Sequence, residues 1–260
     1  MRTLNSLFLF LSLSLLVFYS GCTFDNSSID SNTSSDQPKD SEKISIIRSE
    51  GIHVNYRGLE TLGLQNGDKA SDFTLYTANG EDVNLFKELN KGRPILLIAG
   101  NYACRPAQKN LTKIEEIEEK YKESIDVYII QVVEAHPYDS KSPYSETGEV
   151  WLKPGLEKHN IRSKQPKTYG ERKSLAQSWK KECSIGTIML MDSPDNDFWM
   201  NYGQAPNMAY LIHPNGKVYH KQVWFEKEEM DRKINELLDK ISHLNTQFKQ
   251  LSQDQNTTKT

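Results

Sequence analysis

The stretch from Arg93 to Ala107, RPILLIAGNYACRPA, decides the fold of this 260-residue chain. Its segment Ile95 to Ala99 is continuously apolar, which is typical of a central strand buried on both faces. From Pro106 onward apolar residues recur at helical spacing, and proline is tolerated in a first helical turn. Cys104 is therefore predicted to lie in the turn between a buried strand and a helix.

The segment after this helix completes a strand–helix–strand unit. Residues 125–133, IDVYIIQVV, form a second apolar run, and a crossover of this kind joins parallel strands. The other predicted elements are a hairpin turning at 78–80, a helix at 171–182, a strand at 187–192, a hairpin at 208–225 and a last helix at 226–251. The polar stretch 137–170 is predicted to be an inserted loop region. The fold class is α/β, with a mixed central sheet flanked by helices.

The N-terminal residues predict export rather than folding. Residues 1–21 contain one positive residue, an apolar run and two small residues before Cys22, which is the layout of a secretory signal. The small pair before Cys22 resembles the lipobox of bacterial lipoproteins, and the resemblance implies that this cysteine carries a lipid. An ordinary cleaved signal, with Cys22 as a bystander, is the alternative.

The region around the folded domain is polar. Residues 22–48 are rich in Ser, Asp and Asn and are predicted to form a disordered tether, because they have almost nothing to bury. We expect one folded domain at 49–251 and a disordered tail at 252–260. The protein is predicted to be exported and lipid-anchored to a membrane of the bacterial cell envelope through Cys22.

Composition excludes several classes of protein. The chain has 32 Lys plus Arg against 35 Asp plus Glu and no basic run, which argues against nucleic-acid binding. The six histidines show no paired spacing typical of metal ligands, and no Gly-rich phosphate loop follows a strand. We therefore expect no metal and no bound cofactor. Only Cys104 and Cys183 remain as thiols in the folded part, too few for a disulfide framework.

Cys104 is the candidate nucleophile. In a strand-to-helix turn its sulfur meets free backbone N–H groups and the positive end of the helix dipole, with Arg105 adjacent. These features favour the nucleophilic thiolate, and we expect the sulfur to be exposed; an inert buried cysteine is the alternative. Ala107 stands where a dithiol exchanger has its second cysteine, so Cys183 or an external thiol must restore an oxidised Cys104. An inert, packed Cys183 is the other interpretation.

Four stretches occur in an order that resembles a known family: PILLIAGNYACRP (94–106), VYIIQVVEAHPYD (127–139), ECSIGTIMLMDSPDNDFWMNYG (182–203) and APNMAYLI (205–212). They resemble the iodothyronine deiodinase family of redoxin-type, thioredoxin-fold proteins. The resemblance implies a thioredoxin-like fold with an extra N-terminal hairpin. It also implies reductive removal of iodine from an aromatic ring, with Cys104 at the position of the family's selenocysteine and a thiol restoring the enzyme.

The resemblance implies roles for further residues. His136 matches the family's histidine beside the site, where it would donate a proton or bind a phenol; a histidine that caps a loop is the alternative. Cys183 matches a cysteine proposed to take part in turnover. Pro206 falls where thioredoxin folds keep a cis proline facing the active sulfur. We expect Pro206, Glu134 and Arg105 to line the substrate cleft.

Departures from the family pattern concern the substrate. Arg105 replaces a proline, Pro166 stands near the place of an expected histidine, and Asn207-Met208 replaces a Glu-Arg pair. Two alternatives therefore stand beside a deiodinase: a single-cysteine thiol peroxidase or thiol–disulfide oxidoreductase of the cell envelope, and a non-catalytic thioredoxin-fold module. For an enzyme, the predicted partners are a small aromatic molecule or a peroxide as substrate and an external thiol as reductant.

The last predicted helix carries a heptad seam. Apolar residues recur between Met230 and Leu251 at alternating spacings of four and three. The pattern predicts a homodimer through 230–251, and a terminal helix packed on its own sheet is the alternative.

Overall fold

The computed structural model describes residues 36–47, 58–145, 149–152 and 161–257. Within these ranges no helix has the length and apolar character needed to cross a membrane. The predicted signal at 1–21 and the predicted lipidation site Cys22 lie outside the described residues. Both stay predictions.

A seven-stranded mixed sheet forms the centre of the domain. Its strands are β1 (Thr74–Thr77), β2 (Asp82–Asn84), β3 (Ile95–Gly100), β4 (Asp126–Gln131), β5 (Ile188–Met191), β6 (Ala209–Ile212) and β7 (Val218–Gln222). The spatial order is β2-β1-β5-β4-β3-β6-β7. Strands β3, β4 and β5 are parallel, whereas β6 runs antiparallel to β3 and β7 antiparallel to β6. A strand–helix–strand unit whose first strand pairs with a closing hairpin is the thioredoxin-like arrangement, so the predicted fold is confirmed.

The extra hairpin in front is present, because β1 and β2 pair antiparallel at the sheet edge. The helices are α1 (Leu85–Leu89), α2 (Arg105–Tyr121), α3 (Tyr169–Glu182), α4 (Asp197–Tyr202) and α5 (Lys227–Thr257), with a short 3-10 helix at Leu59–Thr61. The sequence analysis missed α1 and α4, since five or six residues show no helical period. Helix α5 continues through six residues of the predicted disordered tail.

Strand β3 lies in the middle of the core. All six of its residues are buried, as its continuous apolar run predicts for a strand covered on both faces. Helix α2 packs one face against this sheet and buries a set of residues at helical spacing: Ala107, Leu111, Ile114, Ile117 and Tyr121. Burying each large apolar side chain contributes about 1.5–3 kcal/mol, so the strand and the helix that flank Cys104 are both firmly held.

Residues 36–47, which we call the strap, lie along the domain although the sequence predicts a tether there. The Ile44 N–H donates to the Lys167 carbonyl at 2.9 Å, and the Ser45 N–H donates to the Pro194 carbonyl at 2.9 Å. These bonds use the backbone of the strap. Its polar composition therefore gave no sign of them.

The predicted heptad seam divides into two parts. Met230, Ile234 and Leu237 are at most 1% exposed and belong to the core of their own domain. Leu244 and Leu251 are 49% and 59% exposed. The first half of the seam is thus unavailable to a second copy, and dimerisation through the second half stays a prediction.

Candidate functional site around Cys104

Three chain segments meet at one edge of the sheet. Parallel β3 and β4 end at the same edge, and antiparallel β6 begins there. The turn after β3 is thereby brought next to the loops at 132–136 and 204–207. Asn101 joins all three, because its Oδ1 accepts from the Ala135 N–H at 3.1 Å and its Nδ2 donates to the Pro206 carbonyl at 3.4 Å.

Cys104 lies at this junction as the N-cap residue of α2, with φ -112 and ψ 114. Its N–H donates to the Asn101 carbonyl at 3.3 Å, and its carbonyl accepts from the Gln108 N–H at 3.0 Å. The sequence placed this cysteine at the strand-to-helix turn, and the structure has it there. The exposed sulfur that the sequence also suggested is not found, since Cys104 is only 1% exposed. Asn101 bonds the two neighbouring loops to the turn that carries this buried residue.

Glu134 anchors the residues just before Cys104. Its carboxylate is fully buried and accepts from the Tyr102 N–H at 3.1 Å, the Ala103 N–H at 2.7 Å and the Ser163 hydroxyl at 2.7 Å. Burial raises the pKa of Glu134 to about 7, and the three donors oppose that rise. The sequence predicts that Glu134 lines the substrate cleft, and this stays a prediction. In the structure both of its oxygens bind the protein's own chain and hold the two residues before Cys104.

His136 follows Glu134 at the same edge of the sheet. Its Nδ1 lies 2.8 Å from the Trp151 carbonyl oxygen, and its ring meets the Trp151 ring edge-on at 4.8 Å between centroids. Because a carbonyl only accepts, Nδ1 must carry a proton, and Nε2 is the acceptor nitrogen of the neutral ring. His136 is 4% exposed and therefore buried.

Cys183 is connected to the Cys104 turn through one side chain. The Cys183 thiol donates to Gln108 Oε1 at 3.4 Å, while Gln108 Nε2 donates to the Tyr102 carbonyl at 2.7 Å. Burial, assisted by the neighbouring charge of Glu182, raises the pKa of the Cys183 thiol. Neither Cys104 nor Cys183 forms a disulfide. The role of Cys183 in restoring an oxidised Cys104 stays a prediction.

Arg105 and Pro206 occupy different environments. Arg105 is exposed at the first position of α2. Pro206 is buried, and its carbonyl bonds Asn101. The cis isomer expected for Pro206 stays a prediction. Asn207 donates through Nδ2 to the Ala99 carbonyl at 3.0 Å and thus fastens the loop to β3.

The run Met191-Asp192 to Asn196, which contributes to the family resemblance, is structural here. The Asp192 carboxylate accepts from the backbone N–H groups of Phe198 and Trp199 at 2.9 Å and caps α4. Arg172 donates to the Asp192 carbonyl at 2.8 Å and to the Asn196 side chain at 2.6 Å. Burial raises the pKa of Asp192 to about 6 and lowers the pKa of Arg172.

The sequence analysis missed Asn101, Gln108 and Gln204. Asn101 carries a usable signal, because a buried strand that ends on an amide residue directs that amide to the sheet edge. Gln108 and Gln204 carry no such signal. Their partners lie far away in the chain.

A metal site is not evident among the described residues. Within them, no group of three or more His, Cys, Asp or Glu residues could hold a metal ion. A cavity of about 440 Å³ lies between the β1–β2 turn and the end of α3, where Ala78, Lys181 and Ile188 line it. Cys104 is not part of that lining.

Similarity to known proteins is found among solved structures. No protein-family model matches the chain, and no curated protein matches it. Similar solved structures include the exposed lipoprotein thioredoxin Etrx1 from Streptococcus pneumoniae, with 19% identity, a TM-score of 0.45, and coverage of 64% of this chain and 100% of that chain. A thiol-disulfide oxidoreductase from Bacteroides fragilis shows 15% identity, a TM-score of 0.44, and coverage of 65% and 99%. StoA from Bacillus subtilis shows 12% identity, a TM-score of 0.43, and coverage of 63% and 96%.

At these identities the likeness concerns the fold alone. The sheet order and the site together define a class: a thioredoxin-like protein with a single cysteine at the start of the helix that follows the central strand.

Proposed function

We propose that this protein is a thiol-dependent oxidoreductase of the cell envelope in which Cys104 is the nucleophile. The observation that carries the proposal is the position of Cys104 as N-cap of the 17-residue helix α2. The free N–H groups and the positive dipole end of a helix stabilise an adjacent thiolate. Glu134 supports this geometry by holding the two preceding amides.

The reaction that this site supports best is thiol–disulfide exchange through one cysteine. The Cys104 thiolate attacks a substrate disulfide R–S–S–R′, forms the mixed disulfide Cys104–S–S–R and expels R′–S⁻. The thiolate of an external thiol R″–SH then attacks this bond, which yields R″–S–S–R and returns the Cys104 thiolate. Ala107 offers no local thiol for the second step, so an external thiol supplies it unless Cys183, which Gln108 links to the Cys104 turn, takes its place.

Reduction of hydroxyethyl disulfide by glutathione tests the proposal. We expect the wild type to accelerate the reaction, Cys104→Ser to lose the acceleration and Cys183→Ser to keep most of it. Circular dichroism establishes that each variant is folded. Full activity in a folded Cys104→Ser protein would overturn the assignment of the nucleophile.

Reductive dehalogenation is a second candidate, and the position of His136 favours it. The Ala135 N–H that bonds Asn101 holds the adjacent His136 at the same sheet edge as Cys104. In this reaction the Cys104 thiolate takes iodine from the ring as a sulfenyl iodide, and protonated His136 gives the ring carbon its proton. Two equivalents of an external thiol then return the thiolate and release iodide, with formation of a disulfide.

Iodide release from an iodinated phenol in the presence of a thiol separates the candidates. Release that requires both Cys104 and His136 supports dehalogenation, whereas no release beside active disulfide reduction excludes it. Hydrogen peroxide in place of the phenol tests the peroxidase alternative, which demands fast sulfenic acid formation on Cys104.

We also propose that the protein is exported and anchored by a lipid on Cys22. The layout of residues 1–22 supports this location. Metabolic labelling with a fatty-acid analogue should mark the wild type and leave Cys22→Ser unlabelled. Labelling of the variant would contradict the anchor.

A further inference from the structure

The last residue of the strap, Ile47, is hydrogen-bonded to Gln204, two residues before Pro206. The Ile47 carbonyl, near the C-terminal end of the strap, accepts from Gln204 Nε2 at 3.0 Å. The Gln204 carbonyl in turn accepts from the Tyr144 hydroxyl, which belongs to the inserted region after β4. Two segments from different parts of the chain are thus fastened at Gln204, two residues before Pro206.

A short series of bonds continues from this point to Cys104. The Pro206 carbonyl accepts from Asn101 Nδ2 at 3.4 Å, and the Asn101 carbonyl accepts from the Cys104 N–H at 3.3 Å. Because Cys104 is 1% exposed, a substrate disulfide reaches the sulfur only after a neighbouring segment moves. The loop at 204–207 is bonded to the turn that carries Cys104 through Asn101, and the strap is bonded to the same loop through Gln204.

Two residues in unusual conformations hold the strap. Asn196 and Gln204 have φ values of +57 and +60, in the left-handed region that non-glycine residues rarely adopt. Their side-chain amides donate to the carbonyls of Ser45 and Ile47. Such conformations persist where the surroundings fix them, and the strap is one of the segments bonded to Gln204.

The strap is attached in a way that permits release. Its side chains are exposed except for Gln37, Pro38 and Ile44, which are half-buried. Its attachment therefore depends on hydrogen bonds rather than on buried apolar area. Segments of this kind open locally, at a free energy well below that of global unfolding.

We propose that the strap, residues 36–47, is a releasable clamp that controls access to Cys104. When the strap is docked, Gln204 holds the Pro206 loop on the turn and the thiol is buried. When the strap is released, the loop relaxes and Cys104 becomes accessible. This inference rests on the proposed function for its significance, since it adds regulation to the same site.

A matched pair of proline variants in the full-length protein tests the clamp. Ser45→Pro removes the N–H that bonds the Pro194 carbonyl, whereas the Lys43 N–H makes no hydrogen bond within the described residues, so Lys43→Pro is the control. Alkylation by iodoacetamide under native conditions is followed at each cysteine by peptide mass spectrometry. We expect Ser45→Pro to raise the rate at Cys104 about five- to tenfold over the control, as the loss of one hydrogen bond predicts. The rate at Cys183 should stay constant.

Equal rates at Cys104 in the two folded variants would overturn the clamp. Gln204→Met gives a second test, because methionine has a side chain of similar length but lacks the N–H donor to the Ile47 carbonyl. We expect the same increase in the alkylation rate at Cys104. If the alkylation rate at Cys183 rises as well, the variant has unfolded globally. Hydrogen exchange of the wild type then decides whether the strap opens locally. The Ile44 and Ser45 amides should then exchange much faster than those of β3; equal protection would contradict local release.

The two proposals fail separately. Alkylation requires no turnover, so the clamp proposal still holds if the protein fails to catalyse disulfide exchange. Equal alkylation rates refute the clamp while the activity of Cys104 stands.

Discussion

Glu134 Oε2 lies 2.7 Å from the backbone nitrogen of Ala103, so a fully buried carboxylate fixes the residue immediately before Cys104. A second oxygen of the same carboxylate holds Tyr102. The protonation state of Glu134 is thereby coupled to the geometry of the turn that presents the thiol.

The first prediction is that Glu134→Gln reduces the pH dependence of stability. Burial raises the pKa of Glu134 from 4.5 to about 7. Between these pH values Glu134 keeps its proton in the folded protein and has lost it in the unfolded chain. Its contribution to the free energy of unfolding is therefore greatest at low pH and is lost as the pH rises through 7. The loss attributable to Glu134 is at most about 3 kcal/mol. Urea unfolding at pH 5 and pH 8 measures it in both proteins.

Asp192 provides an internal reference for this experiment. Its pKa is raised to about 6, so its contribution has the same sign and remains in the variant. The variant should therefore retain a smaller decline in stability with rising pH. A decline as large in Glu134→Gln as in the wild type would contradict the role of Glu134.

The second prediction concerns the missing local thiol. Ala107 is buried in the first turn of α2, three residues after Cys104. We expect Ala107→Cys to allow a disulfide with Cys104 under mild oxidation, seen by mass spectrometry as the loss of two hydrogen atoms. The second step of exchange then becomes intramolecular and less dependent on the external thiol. Ala107→Ser, which adds a side chain of similar size without a thiol, should show neither change. Failure of the folded Ala107→Cys variant to form a disulfide with Cys104 would refute the expectation.

The third prediction concerns the buried guanidinium of Arg172. Arg172→Leu leaves the carbonyls of Asp192 and Ser193 without their donor, which should lower the free energy of unfolding by about 3 kcal/mol. Lys181→Leu, on an exposed position of the same helix, should change it by less than about 0.5 kcal/mol. Denaturant titration compares the two. Similar effects of both substitutions would argue against the structural role of Arg172.

The fourth prediction distinguishes the two halves of α5. Ile234 is fully buried in its own domain, so Ile234→Ala should destabilise the protein by about 2–4 kcal/mol. Leu244 is 49% exposed, and Leu244→Ala should have little effect on a monomer. Light scattering at several concentrations shows whether the exposed half joins two copies. A large, concentration-dependent loss of stability in Leu244→Ala would reveal a dimer.

Local patterns predicted much of the fold. The apolar run of β3, the helical spacing in α2 and the glycine turns of the hairpins depend on neighbouring residues only. The position of Cys104 between β3 and α2 follows directly from these patterns. The short helices α1 and α4 carry no period of their own, and the core of the domain stabilises them instead.

Long-range contacts could not be predicted in the same way. Asn101 bonds residues 34 and 105 positions further along the chain, and Gln204 reaches back 157 positions to the strap. A polar segment such as the strap looks unstructured in sequence, because backbone hydrogen bonds leave no mark on composition.

The sequence by itself determined an α/β chain with one thiol at the start of a helix, since periodicity and turn chemistry are properties of adjacent residues. Only the tertiary structure decided that this thiol is buried, that Glu134 supports it and that the strap fastens the loop beside it. Burial and hydrogen bonding depend on which distant segments meet, and only folding brings those segments together.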